Sequence, residues 1–144
     1  WSFAHARRQW SLEEPDYLRY SYLRNFDEAM VHLIRREKLL FSSPRLLVQD
    51  EEKKVLIFMR ENCIFALNFS ATSSFADYGF AAPEGEWEDV LDSDGYRFNG
   101  FGRIKEGERH FTVHEKSPNG DPSFDDTLYL YLPSRTVTVL RKVE

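Results

Sequence analysis

The sequence predicts a mainly β chain, an antiparallel β-sandwich of about seven or eight strands that is preceded by a helical segment. Three observations support this fold class. Residues 44–144 contain short apolar runs separated by polar connectors, the pattern of strands joined by turns. The chain of 144 residues contains 12 Phe and 7 Tyr, and aromatic residues favour strands. Residues 16–37 instead repeat their apolar side chains every three or four positions, which indicates an amphipathic helix.

The N-terminal residues 1–15 show no clear period. The run Ser11-Leu12-Glu13-Glu14 has the form of a capping box, but Pro15 follows at once. Proline is tolerated in the first turn of a helix and disrupts later turns, so we expect the helix to begin near residues 14–16. The predicted apolar face of this helix consists of Leu18, Tyr22, Phe26, Met30, Leu33 and Ile34.

After the break at Ser42-Ser43-Pro44, the apolar runs predict a meander of hairpins. The predicted strands lie at residues 46–48, 55–59, 63–69, 87–91, 110–115, 128–132 and 136–140. We expect the last two strands to form a hairpin through Pro133-Ser134-Arg135. The change in pattern predicts a boundary between residues 1–43 and an all-β domain at residues 44–144.

The charge and composition of the chain argue against several classes of partner. A net charge of -5 at pH 7 does not favour nucleic acids or anionic membrane surfaces. No apolar run approaches the ~20 residues that span a bilayer, and there is no signal-peptide pattern. The single cysteine, Cys63, cannot form an internal disulfide and is predicted to be buried in an apolar run. These points favour a cytoplasmic protein.

No residue pattern in the sequence predicts a catalytic, cofactor or metal site. His110 and His114 would lie on one face of a strand about 13 Å apart, too far to share an ion. The run Asp92-Ser93-Asp94-Gly95 resembles the start of a calcium loop, but its glycine is misplaced and the required glutamate is missing. A solvated turn is the preferred interpretation. Asp125 and Asp126 are adjacent and should point to opposite faces of a strand.

Two further groups of residues leave their roles open. The acidic pairs Glu13-Glu14 and Glu51-Glu52 are interpreted as surface charges, because nothing apolar surrounds them to raise the pKa of a general acid. The tryptophans Trp1, Trp10 and Trp87 could stack on sugar rings, but tryptophan is more often part of a core.

Several stretches distributed over nearly the whole chain form a further pattern. They are Trp1-Ser2-Phe3-Ala4-His5-Ala6-Arg7-Arg8-Gln9-Trp10, Tyr22-Leu23-Arg24-Asn25-Phe26-Asp27, Phe65-Ala66-Leu67-Asn68-Phe69, Asp77-Tyr78, Val90-Leu91-Asp92-Ser93-Asp94 and Leu130-Tyr131-Leu132-Pro133-Ser134-Arg135-Thr136. In these stretches, and in their order, the chain resembles the glycogen and starch branching enzymes of the α-amylase superfamily. Phe3 and His5 stand where the family usually has tyrosine.

The resemblance implies that residues 1–43 are the end of a catalytic (β/α)₈ barrel and that residues 44–144 are the all-β domain that closes the enzyme. Such an enzyme is a glycosyltransferase of glycogen biosynthesis. It cleaves an α-1,4 bond with retention and transfers the chain to a 6-hydroxyl, using barrel carboxylates that precede Trp1. We therefore expect this chain to be an excised, structural and inactive fragment, with no cofactor, whose partners are α-glucan and its own barrel.

The candidate site residues are Arg7, Arg8, Gln9, Trp10 and Trp87. The resemblance places the first four in the last barrel loop or its flank, where they brace the barrel edge or contact glucan. Bracing is the preferred interpretation. Trp87 is a candidate for glucan contact because of its indole ring.

A chain without its barrel would leave the apolar face of the predicted helix uncovered. We expect Tyr17, Leu18, Tyr22, Leu23 and Phe26 to form an exposed patch that is larger than monomers tolerate, which favours self-association. The alternative function is a free-standing carbohydrate-binding module of the β-sandwich type. Such a module needs a planar strip of exposed aromatic side chains on one face of a sheet.

Overall fold

The computed structural model describes residues 9–144, and within them it contains one α-helix and eight β-strands. The elements are α1 (Tyr20–Arg36), β1 (Arg45–Asp50), β2 (Val55–Arg60), β3 (Cys63–Asn68), β4 (Phe75–Ala82), β5 (Glu86–Asp92), β6 (Arg109–Phe111), β7 (Asp126–Leu132) and β8 (Thr136–Lys142). The predicted fold class, mainly β and antiparallel with a helical lead-in, is confirmed. Nowhere in residues 9–144 is a helix both long and apolar enough to cross a bilayer.

The strands form two antiparallel sheets with an apolar core between them. Six strands form the larger sheet in the order β1-β2-β3-β8-β5-β6, and β4 pairs with β7 in the smaller one. Both sheets contribute to the core because alternate side chains of a strand point to one face. We call this set the inner core; it consists of Leu47, Val48, Val55, Ile57, Ile64, Ala66, Tyr78, Phe80, Ala82, Trp87, Leu128, Leu130, Leu132 and Leu140.

The helix α1 covers the opposite face of the six-stranded sheet. Leu33 of α1 packs in a second cluster with Cys63 and Phe65 of β3, while Ile64 and Ala66 of the same strand belong to the inner core. Strand β3 is therefore buried on both faces, which explains why its sequence is continuously apolar rather than alternating. The predicted burial of Cys63 is confirmed, and its thiol is free.

The helix begins later than the sequence predicts. Residues Trp10–Glu13 form a turn of 3₁₀ helix, and α1 starts only at Tyr20. Pro15 has no N–H to donate, so a helix cannot run without interruption from the 3₁₀ turn into α1. The contacts of α1 with the sheet come from Phe26 onwards, which leaves little to stabilise earlier helical turns.

Strand β4 was not among the predicted strands. Its sequence contains Gly79 and three alanines, which are weak strand formers, and so the apolar pattern is short. In the structure Gly79 lies opposite Tyr129 of β7, and a Cβ at this position would lie 2.6 Å from Cε1 of the tyrosine ring. The glycine therefore makes room for the ring, which covers the gap in the strand.

The predicted hairpin of the last two strands is wrong, because β7 and β8 lie in different sheets. The chain crosses between the sheets at residues 133–135. Asn68, which is buried, holds this crossing: its Nδ2 donates to the carbonyl oxygen of Leu132 at 3.0 Å and to that of Ser73 at 2.9 Å. Strands β7 and β8 therefore contribute apolar side chains to the inner core from opposite sheets.

Strand β6 is shorter than predicted, and β5 is irregular. β6 pairs with β5 over three residues, after which Val113 pairs with Thr127 of β7, so the chain changes sheets within the predicted strand. In β5 the pairing with β8 shifts between Asp89 and Leu91. Because of this bulge, Trp87 packs in the inner core while Leu91 packs on the α1 side.

A buried tyrosine links the two sheets. The hydroxyl of Tyr78 in β4 donates to Oδ2 of Asp50 in β1 at 2.8 Å. Burial raises the pKa of Tyr78 to about 12, so the phenol stays protonated and remains a donor.

We predict that Tyr78→Phe lowers the free energy of unfolding by about 1–2 kcal/mol, because a hydrogen bond to a charged acceptor is lost. Urea denaturation followed by tryptophan fluorescence measures the change. Tyr96→Phe, at an exposed position, is the control and should change stability by less than about 0.5 kcal/mol. Equal effects of the two substitutions would contradict the prediction.

Candidate functional site

The predicted N-terminal site residues lie partly within the described structure. Arg7 and Arg8 lie outside the described residues. Gln9 lines a surface groove of about 390 Å³ between the 3₁₀ turn and α1. We call it the helix groove; its lining residues are Gln9, Leu12, Glu13, Tyr20, Leu23 and Asp27. Trp10 is 64% exposed and lines the neighbouring depression with Val31.

The surface around the helix groove is largely apolar. Of the five side chains predicted to form a patch, Tyr17, Tyr22 and Leu23 are exposed, and Leu23 is 59% exposed. Leu18 is only half-buried. Phe26 packs edge-on against the ring of Phe98 at 5.1 Å between centroids, so it belongs to the fold rather than to the patch. The exposed part of the patch therefore lies along the N-terminal half of α1.

Trp87 lies in the core and not at a binding surface. It is 1% exposed, and its indole Nε1 donates to the carbonyl oxygen of Pro83 at 3.3 Å. A ring without exposed area cannot stack on a sugar, so the interpretation as a glucan contact is corrected. Trp87 instead packs as a large apolar side chain in the inner core.

Two tyrosines lie on the outer face of the small sheet. Tyr129 and Tyr131 alternate with the buried leucines of β7 and remain partly exposed. The hydroxyl of Tyr129 donates to Glu115, and its ring lies against Gly79. This is a pair of aromatic side chains rather than an extended strip, so it meets only part of what a carbohydrate-binding module needs.

The loop after β5 is organised around a buried ion pair, and the predicted solvated turn is wrong. Asp94 is buried and pairs with Arg103, whose Nε donates to Oδ2 at 2.9 Å and whose Nη2 donates to Oδ1 at 3.1 Å. The backbone N–H of Phe101 also donates to Asp94. Burial alone would raise the pKa of Asp94, but the hydrogen bonds from Arg103 outweigh it and hold the pKa below 3.8. A side chain at Gly100 would collide with the backbone of Asp94, so the close approach requires glycine.

A cavity of about 490 Å³ lies beside this loop, and Asp92, Tyr96 and Lys105 are among the residues that line it. Burial raises the pKa of Asp92 to about 6, and the nearby charges of Asp94 and Asp89 act in the same direction. The backbone N–H of Asp94 donates to Oδ1 of Asp92 at 2.9 Å, which favours the ionised form but does not outweigh burial. Burial thus makes Asp92 a weaker acid than an ordinary aspartate.

The two histidines of the sequence analysis pair with different carboxylates. His110 Nε2 lies 2.9 Å from Oδ2 of the buried Asp89, and His114 Nδ1 lies 2.8 Å from Oδ1 of Asp126. These hydrogen bonds raise the pKa of each histidine. Glu108 lies close to the first pair: within residues 9–144, Asp89, Glu108 and His110 are the one group of three whose ligand atoms all lie within 4.8 Å of one another. The sequence analysis missed this group.

The acidic residues considered in the sequence analysis differ in their burial. Asp125 is exposed, lies before β7 and pairs with Lys116, while Asp126, the first residue of β7, is buried. Glu13 is 8% exposed and therefore is not the surface charge that the sequence suggested. It lies in the 3₁₀ turn, where its side chain lines the helix groove.

The sequence matches the family model described as alpha amylase, C-terminal all-beta domain, over residues 46–143. The matched region begins in β1 and ends after β8, so it contains all eight described strands and excludes α1.

The chain is also similar to curated enzymes over nearly its whole length. A 1,4-alpha-glucan-branching enzyme of Debaryomyces hansenii is 42% identical, with 99% of this chain and 21% of the relative covered. An enzyme of the same name from Dictyostelium discoideum is 39% identical, with 99% and 21% covered. A 1,4-alpha-glucan-branching enzyme from Oryza sativa subsp. japonica, named as chloroplastic/amyloplastic, is 37% identical, with 93% and 16% covered. The chain thus spans about a fifth of the length of these relatives.

We predict that Asp92→Asn stabilises the chain at pH 7 by about 1 kcal/mol, a figure that allows for partial solvent screening. The folded pKa of about 6 lies above the ordinary value of 3.8, so the folded state binds the proton more tightly. Stability of the unsubstituted chain should therefore fall as pH rises from about 4 to about 6, and the variant should lose this decline. Urea denaturation at several pH values measures it.

The matched control for this prediction is Asp125→Asn, which removes the same charge from an exposed position. It should leave the decline in place. A variant at Asp92 that is less stable at pH 7 would show that the loop requires the ionised carboxylate.

Proposed function

The chain belongs to the alpha amylase C-terminal all-beta domain family, and we propose that it is the closing domain of a 1,4-alpha-glucan-branching enzyme. In this proposal the whole protein cleaves α-1,4 and forms α-1,6 glucosidic bonds, with α-glucan as its substrate. The chain described here stabilises the catalytic barrel and carries out no chemistry itself. Support comes from the branching enzymes that resemble it over 93–99% of its length.

The position of the helix groove is the main support for the proposed structural role of the chain. The groove and the exposed side chains around it lie before residue 46, outside the region matched by the all-β family model. The similarity to branching enzymes nevertheless extends over this N-terminal part, since it covers 99% of the chain. We infer that residues 1–43 form the end of the barrel and its flank, and that residues 44–144 form the all-β domain.

The apolar character of the groove supports a protein partner. Leu12, Tyr20 and Leu23 are exposed and line the same groove. Burying one such side chain fully contributes about 1.5–3 kcal/mol, so three of them supply several kcal/mol to a contact. Gln9 and Trp10 lie at the same surface, which fits the proposed bracing of the barrel edge rather than a glucan contact. We further propose a cytoplasmic location, which the single cysteine supports; the relative from Oryza sativa is named as chloroplastic/amyloplastic.

We predict that Leu23→Glu, placed in a branching enzyme that ends in this chain, lowers the temperature of half-inactivation by about 3–5 °C and reduces branching activity. The substitution places a charge in the proposed contact with the barrel, where it has no partner. Iodine staining of amylose measures the activity, and heating before the assay gives the inactivation temperature.

The control for Leu23→Glu is Phe69→Glu. It also places a charge at an exposed hydrophobic residue, but Phe69 follows β3 and does not line the helix groove. It should leave both quantities unchanged. Sedimentation velocity of the isolated chain adds a second readout: self-association through the helix groove should disappear in Leu23→Glu and persist in Phe69→Glu. Unchanged inactivation and activity in the Leu23 variant would contradict the proposed contact.

The alternative, a carbohydrate-binding module, is favoured by one observation, the partly exposed pair Tyr129 and Tyr131. We predict that the isolated chain migrates equally in native gels with and without glycogen, because two adjacent rings give little stacking area. Clear retardation by glycogen that is lost in Tyr131→Ala would favour the module. Retardation that persists in this variant would place the contact elsewhere on the chain.

A further inference from the structure

Asp89, Glu108 and His110 converge because of the way β5 pairs with β6. His110 lies opposite Trp87 in the register of the two strands, and the backbone N–H of Asp89 donates to the carbonyl oxygen of Glu108. His110 therefore lies beside Trp87, and Glu108, the exposed residue just before β6, lies beside Asp89. We call these three residues the Asp89 cluster; their ligand atoms all lie within 4.8 Å of one another.

The central carboxylate of the cluster is buried and only half satisfied. Asp89 is 4% exposed, and its Oδ2 faces His110 Nε2 at 2.9 Å. Its other oxygen, Oδ1, has no hydrogen-bond partner among residues 9–144. Leaving a buried charged oxygen without a partner costs free energy, so such an atom in a native structure calls for a ligand.

A second buried polar atom lies at the same place. Thr138 Oγ1 of β8 is buried and also has no hydrogen-bond partner within the described part of the chain. Thr138 and all three residues of the Asp89 cluster line one small cavity of about 30 Å³ between the two sheets. The two side chains with unpartnered oxygens therefore line a cavity that is large enough for one ion or one water molecule.

We propose that the Asp89 cluster binds one divalent transition-metal ion, with zinc as the representative ion. The ligands are a carboxylate oxygen of Asp89, a carboxylate oxygen of Glu108 and Nε2 of His110. One imidazole nitrogen with two carboxylates is a donor set that suits Zn²⁺ and its neighbours, whereas Mg²⁺ and Ca²⁺ prefer oxygen alone. The hydroxyl oxygen of Thr138, which lines the same cavity, is the fourth donor.

The ligand atoms must adjust in both directions, because Oδ2 of Asp89 and Nε2 of His110, now 2.9 Å apart, must separate slightly to admit the ion while Glu108 moves closer. Ligand atoms of a tetrahedral zinc site lie about 2.0–2.2 Å from the ion and hence about 3.4 Å from one another. Glu108 is exposed, so its side chain is free to close the remaining distance. Two carboxylates and a neutral imidazole carry a charge of about -2, which a divalent ion neutralises. Arg103 also lines the cavity, but its guanidinium is already paired with Asp94. His110 binds through the nitrogen that now faces Asp89, so the metal replaces that hydrogen bond.

Isothermal titration of the purified, chelator-treated chain with zinc chloride tests the proposal. We expect one equivalent to bind with a dissociation constant on the order of micromolar. Glu108→Gln and His110→Ala should each weaken binding by at least about 10-fold. Glu108 is exposed, so its variant should keep the fold, which circular dichroism checks. X-ray absorption should show nitrogen and oxygen ligands with one imidazole and no sulfur.

His114→Ala is the matched control, because His114 pairs with Asp126 outside the cluster. Its binding of zinc should equal that of the unsubstituted chain. The proposal is overturned by no binding up to about 1 mM zinc, by binding that His114→Ala abolishes and His110→Ala does not, or by a crystal soaked in zinc in which water alone occupies the cavity. These outcomes do not depend on the proposed branching activity, since no readout measures it.

Discussion

The pairing of β3 with β8 at the centre of the six-stranded sheet is the interaction on which the other elements depend. Both strands are covered on two faces: Ile64 and Leu140 pack in the inner core, and Phe65 and Val139 pack under α1. Six residue pairs join the two strands in register without a bulge. The small sheet and the helix each need this double-sided surface, because neither β4–β7 nor α1 can bury its own apolar face alone. The helix groove and the Asp89 cluster lie at opposite sides of this frame.

The sequence predicted the elements whose apolar pattern is local. Seven of the eight strands overlap strands predicted from the sequence, and the helix overlaps a repeat of three and four, because these patterns arise within a single element. β4 was not predicted because the role of Gly79 is visible only from its pairing with Tyr129, a residue of another strand. The separation of β7 from β8 depends on the buried side chain of Asn68, whose contacts cross between the sheets. Information of this kind is in the tertiary structure and not in any short window of sequence.

The candidate site residues likewise divide into those that a sequence pattern identified and those that only tertiary contacts reveal. Gln9 and Trp10 could be placed near a protein contact because a family resemblance named their stretch. The sequence could not show that Trp87 is buried, because its burial depends on the opposing sheet. The Asp89 cluster joins residues about twenty positions apart across an irregular loop, whose course is fixed by the pair of Asp94 and Arg103. The spacing of Glu108 and His110, two positions apart, was visible in the sequence, but it could not show that Asp89 lies beside them.

The position of β8 has a consequence for how the chain is made. β8 is the last of the described strands in sequence, yet it lies between β3 and β5 in the middle of the large sheet. On a ribosome, β1-β2-β3 and β5-β6 emerge first as separate pieces, each with an open strand edge that can pair with other chains, and the edge at β3 is also apolar. A frameshift or stop codon shortly before residue 136 would keep nearly all of the core residues and still leave both edges unpaired. Loss of this short segment would therefore favour aggregation far more than its length suggests.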